Sequence, residues 1–184
     1  MNWSNPESVD LGNRIVNIRN KCDYRIVLDT IEILNDDELL WFHKIEAAFA
    51  CFYEDEILPE ESPKAYEEMM VIIAGGEEQK QPSPNAPKLV DWQKDFHIIA
   101  PPVSRVLGYD VRSPHILTHW YAFTGAFMEI GSECFFRSVV DIRRKLAEGV
   151  SLEKHEREFL NKNQSAIILD SDFDLDDELF LKGG

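Results

Sequence analysis

His119-Trp120-Tyr121-Ala122-Phe123-Thr124-Gly125-Ala126-Phe127-Met128-Glu129-Ile130-Gly131 is the stretch whose pattern decides the architecture. Glu129 is its one carboxylate, and rings and aliphatic groups recur on every side of the helix it would form. A helix that is apolar nearly all round has no solvent face, so it is buried in its own core or against a partner. Ser113-Pro114 pairs a capping hydroxyl with a helix-compatible proline, which places the expected start of this helix there and its end near Gly131.

The same helical spacing extends outward in both directions. Downstream, Val139, Val140, Ile142 and Leu146 mark a helix ending at Gly149, and Ser151 reads as the cap of a last one holding Leu152, Phe159 and Leu160. Upstream, Asp91 to Leu107 is helical in pattern but contains Pro101-Pro102. There the missing N–H groups and ring clashes predict a break or kink. Tyr66, Met69, Met70, Ile72 and Ile73 form a helix opened by Ser62-Pro63 and stopped by Gly75-Gly76. Before it, Glu54 to Pro63 reads as an acidic loop.

Tyr24, Val27, Leu28, Ile31 and Leu34 give a first amphipathic helix. Asn35, with Glu38 in capping-box position, predicts the start of a second through Leu39, Leu40, Phe42, Ile45, Phe49 and Phe52. Only the beginning departs from this rule. Ser8-Val9-Asp10-Leu11 and Arg14-Ile15-Val16-Asn17-Ile18 flank Gly12-Asn13, the signature of a hairpin closed by residues that tolerate positive φ. The expected fold class is therefore mainly α, a helical domain with a short N-terminal β-hairpin. Its expected organisation is residues 1–74 for the hairpin and first helices, and 75–89 for a flexible linker. Residues 90–168 are the C-terminal helical part of the same domain, and 169–184 an acidic tail.

Charge bounds the function. With 184 residues, a net charge of -15 and a pI near 4.7, the chain is too acidic to neutralise a phosphate backbone, and no nucleic-acid partner is expected. The same charge favours a basic protein partner or mimicry of nucleic acid. Cys22, Cys51 and Cys134 are few and widely spaced, as befits buried thiols in a reducing compartment. The first residues lack a basic and an apolar segment of the signal-peptide type, and no apolar run reaches the roughly 18 residues of a membrane span. A soluble intracellular protein without a membrane partner is expected.

Candidate chemistry is thin. His115 and His119 have the four-residue spacing of a two-histidine metal site but lack a neighbouring Glu and a third ligand. Asp170-x-Asp172-x-Asp174 opens like a calcium loop, yet Leu175 and Leu181 stand where Gly and a bidentate Glu are required. Glu77-Glu78 after Gly75-Gly76 would repel phosphate, and no GxSxG occurs. The expectation is a chain without catalytic residues, cofactor or metal. The aromatic surplus is the stronger signal: most of it belongs to a core, and the remainder supports self-association or capture of a partner helix. The candidate partner-binding residues are Trp92, Phe96, Trp120, Tyr121, Phe123 and Phe127.

An ordered set of short motifs adds to this reading. Pro6-Glu7-Ser8-Val9-Asp10-Leu11-Gly12 is followed by Ile18 and Asp23-Tyr24-Arg25. Asp91-Trp92-Gln93-Lys94-Asp95 then leads to Ile98, Ile99, Ala100, Gly108, Asp110 and Val111. Next come His119-Trp120-Tyr121-Ala122-Phe123, Ile142-Arg143-Arg144-Lys145-Leu146, Lys154 and Glu156-Arg157-Glu158-Phe159. In this order they resemble the tail assembly chaperones, gene-fifteen-type bacteriophage proteins, of siphophages of Gram-positive hosts. Pro101-Pro102 departs from the family's unbroken helix, Tyr121 replaces a second Trp, and the tail after Leu169 lies outside the match. The resemblance implies a non-enzymatic oligomeric assembly factor in the host cytoplasm. It would coat the tape measure protein, keep it soluble, yield to major tail protein, and be absent from the mature virion. The competing expectation is an acidic inhibitor or nucleic-acid mimic encoded by a phage or prophage. Its weakness is that the acids concentrate in Glu54 to Glu61 and in the tail.

Overall fold

The computed structural model describes residues 4–76 and 87–169. Two strands, β1 (Ser8–Asp10) and β2 (Ile15–Asn17), precede eight α-helices among the described residues. These are α1 (Tyr24–Asn35), α2 (Trp41–Phe52), α3 (Ser62–Ile73), α4 (Trp92–Leu107), α5 (Trp120–Met128), α6 (Phe135–Ala147), α7 (Lys154–Lys162) and α8 (Gln164–Ile167). The chain is mainly helical with a short N-terminal antiparallel hairpin, as its periodicity predicts.

Val9 pairs with Val16 across the hairpin, and the two-residue period buries Val9, Leu11, Val16 and Ile18 while Ser8, Asp10, Ile15 and Asn17 face outward. Gly12 adopts a φ of 90°, and the Leu11 N–H donates to the Arg14 carbonyl at 2.9 Å to close the loop. Past the hairpin the chain makes a turn that no pattern announces. Asn20, Lys21 and Cys22 have φ of 49°, 55° and 60°. Left-handed backbone costs an L residue about 1–2 kcal/mol. Here Lys21, Cys22 and Asp23 donate their N–H groups to the carbonyls of Ile18, Arg19 and Asn20, and the Cys22 carbonyl accepts from the Trp120 N–H at 2.8 Å.

The chain forms two compact units that interleave in sequence. Among the described residues, 4–76 with 103–129 form one, and 87–102 with 130–169 the other. Residues 103–129 group with the N-terminal elements. Of the expected linker and tail, residues 77–86 and 170–184 lie outside the described residues. In the first unit the fully buried side chains include Val16, Ile18, Tyr24, Val27, Phe52, Tyr53, Met69, Val103, Val111 and Phe123. In the second, Val139, Ile142, Leu160 and Ile167 form a cluster lined by Ile98, Leu146, Leu152, Phe159 and Ala166.

Several element boundaries differ from the sequence expectation. Asn35 ends α1 instead of capping α2, because Asp36 accepts the Glu38 N–H at 2.9 Å and forms a turn; α2 starts at Trp41 with Leu40 as its N-cap. Helix α5 starts at Trp120, not at Ser113-Pro114; the Arg25 guanidinium donates to the carbonyls of Val111, Ser113 and Ile116 and holds this segment as a loop. Helix α4 passes through Pro101-Pro102 without a break. Each proline removes one ladder bond, and the complete turns on either side carry the helix on. Glu153, in a capping box with Glu156, starts α7 in place of Ser151. No helix among the described residues is long and apolar enough to cross a membrane.

Candidate partner-binding surface

The aromatic helix that opened the sequence reading is built into the first unit from several directions. His119 is its N-cap: Nδ1 accepts the Tyr121 N–H at 3.0 Å, which leaves Nε2–H to donate to the Pro6 carbonyl at 3.0 Å. Phe123 stacks on Tyr24 with centroids 4.3 Å apart and planes 6° apart, and Trp120 stacks on Phe123 at 6.0 Å. The Trp120 indole N–H donates to the Ile73 carbonyl at 3.1 Å, at the C-terminal end of α3. Trp120 and Phe123 are therefore core rings, whereas Tyr121 and Phe127 are half-buried. Trp92 and Phe96, also half-buried, stand on the stretch of α4 that belongs to the second unit. The six candidates thus divide between two units, and the structure brings Trp120 and Phe123 together as a stack.

The charged residues of the family-like motifs hold the units together internally. Asp23 is buried and accepts from the Thr118 N–H at 2.7 Å, while its neighbour Arg25 binds the 111–116 carbonyls. In the second unit Asp95 and Arg143, 48 residues apart, form a buried two-pronged pair with N–O distances of 2.6 and 2.8 Å. Arg143 also donates to the carbonyls of Leu89, Ala166 and Ile167, tying α6 to α8 and to the approach of α4. Glu156 pairs with Lys145 across α6 and α7, and that ammonium together with the Glu153 N–H draws the carboxyl below its ordinary range. Spacing alone could not pair these residues, because the partners lie on separate segments of the chain.

No buried side-chain nitrogen or oxygen among the described residues lacks a partner, and no group of three or more His, Cys, Asp or Glu among them could hold a metal. His115 is exposed in the loop before α5, so it shares no helical face with His119. The calcium-like Asp170 to Asp174 stretch lies outside the described residues.

The largest departure from the expected surface is at the start of α2. Leu40, Trp41 and Phe42 are 62%, 61% and 55% exposed. Trp41 meets the Tyr66 ring of α3 edge-on at 5.8 Å, and Phe42 lies against His43 at 3.9 Å. The sequence pattern counts Leu40 and Phe42 in this helix and leaves out Trp41. The signal was present nonetheless: a helix turns about 100° per residue, so three successive large apolar side chains cannot all face one core. Phe49 and Phe52 fill the inward face instead.

The class of protein is therefore a small acidic helical protein with an N-terminal hairpin, whose motif residues serve its own architecture and whose exposed aromatic cluster stands outside it. A family model described as Bacteriophage Gp15 protein matches residues 6–169, and the chain belongs to that family. Comparison with curated proteins and with solved structures gives no match.

Proposed function

We propose that this protein is a tail assembly chaperone that acts without catalysis, binding the tape measure protein of its phage and keeping it soluble until major tail protein polymerises around it. The observation that carries the reading is membership of a bacteriophage family over residues 6–169, in a chain whose ordered motifs resemble those chaperones. Two physical features support it. A long helical client exposes apolar stripes, and this surface offers exposed apolar side chains at Leu40 to Phe42 that could cover one. A net charge of -15 keeps a client complex soluble and attracts basic side chains. On this reading the protein works as an oligomer in the host cytoplasm and leaves before the virion matures, with modest affinity per site multiplied along the client.

Co-expression with the tape measure protein of the same genome tests it. The client should remain soluble and co-purify with this chain, and adding major tail protein should release the chain. A client that aggregates equally with and without it would overturn the proposal in favour of an acidic inhibitor or nucleic-acid mimic.

A further inference from the structure

We infer that Leu40, Trp41 and Phe42, with Tyr66 beside them, seat an amphipathic helix whose apolar stripe is flanked by Lys and Arg; the inference rests on the reading of this chain as a client binder and names the face and the chemistry of its ligand. Leu40 at the N-cap and Trp41 and Phe42 in the first turn of α2 are exposed to solvent, and the Trp41–Tyr66 contact carries the apolar surface onto α3. Met70, half-buried one turn beyond Tyr66, continues it along the same helix face. A strip of rings and aliphatic groups across two helices is the kind of surface an apolar helix face covers.

The rim of the strip chooses the occupant. Residues 36–46 hold Asp36, Asp37, Glu38 and Glu46 against Lys44 as the one lysine. All four acids are exposed, and Glu67 is exposed beside Tyr66. The local cations are already engaged: Lys44 lies 3.9 Å from Asp37, and Lys64 lies 3.0 and 2.7 Å from Glu67 and Glu68. A helix with acidic flanks would meet like charge there, and so would a second copy of this face, whereas flanking Lys and Arg would find carboxylates.

The full chain should be titrated with a synthetic helical peptide of about 20 residues, carrying a Leu stripe flanked by Lys, and with its counterpart flanked by Glu. The Lys peptide should bind at least about tenfold more tightly. Replacing both rings (Trp41→Ser with Phe42→Ser) should weaken it by about tenfold or more, as loss of central aromatic anchors does. Unfolding of that variant would mimic a loss of binding, so a second one, Glu38→Lys with Glu46→Lys, changes exposed acids alone and should reverse the preference between the two peptides. The inference is overturned if the wild-type chain ignores the Lys peptide, or if the rim variant keeps the original preference. It is equally overturned if sedimentation shows the wild type to be a dimer that the ring variant splits, which would make a second copy the occupant. The chaperone reading is scored separately: a wild-type chain that protects the tape measure protein yet fails with the Lys peptide sinks this surface alone.

Discussion

Glu61 shows how much one side chain can gather. It is buried just ahead of α3, and both oxygens accept from the Arg14 guanidinium at 2.9 and 2.8 Å, with the Asn13 amide and the Leu58 N–H completing the set. Those bonds, the Arg14 one foremost, hold its carboxyl down at about 2 from an ordinary 4.5. A depressed carboxylate stabilises the fold fully above its unfolded value and loses that contribution as pH falls toward its folded one. The melting temperatures of the wild type and of Glu61→Gln should therefore differ most at neutral pH and converge between pH 4.5 and pH 2. A gap that stays constant over that window would show that the ion pair contributes nothing. Cys22 makes the opposite case, since burial pushes its thiol up to about 12. Thiolate is the reactive form, so a maleimide at pH 8 should label the half-buried Cys51 and Cys134 well before Cys22. Mass spectrometry of partly labelled native protein checks this, and equal labelling would contradict it. Neither residue's role could be read from the sequence, because Glu61 lies 47 positions from Arg14 and the Cys22 environment is made by α5.

Helices were readable wherever one face repeated every three to four residues, while several of their ends are set by hydrogen bonds that the repeat does not report. Arg25 and Asp23 claim the segment before α5, and so the Ser113-Pro114 start signal goes unused. Leu40 illustrates the same point from the other side, as an N-cap whose side chain accepts nothing. Leu40→Asp should stabilise the chain by about 0.5–2 kcal/mol in urea unfolding, and no gain would mean that the turn at Asp36 already satisfies the helix start. Arg143→Ala should act in the opposite sense. Removing one partner of a buried pair leaves Asp95 charged and unpaired, and the loss is about 3–5 kcal/mol in the same measurement. A loss below about 1 kcal/mol would indicate that water reaches the carboxylate.

At the scale of the molecule, the fold class followed from periodicity, but the partnership of elements did not. An amphipathic pattern reports that a helix has a buried face and is silent about what covers it. The grouping of residues 103–129 with the hairpin and first three helices is of this kind. It predicts that a chain ending at residue 76 will lack a cooperative unfolding transition, because the Tyr24 hydroxyl loses the Val111 carbonyl, Asp23 loses Thr118, and the Tyr24 ring loses Phe123. Circular dichroism on heating would reveal it, and a sharp transition in that fragment would show the N-terminal elements to be self-sufficient. The candidate rings Trp120 and Phe123 were visible as an apolar helix, while the exposure of Leu40, Trp41 and Phe42 depends on what covers α2, which its spacing does not report. The 95 positions between Asp23 and Thr118 also set a clock on the ribosome. At roughly 5–20 residues per second, the hairpin and α1 wait about 5–20 s after synthesis before the segment that completes them emerges. During that interval the Tyr24 ring lacks the Phe123 stacked on it, so the nascent protein passes through the same sticky condition from which, on the proposed function, it later protects its client.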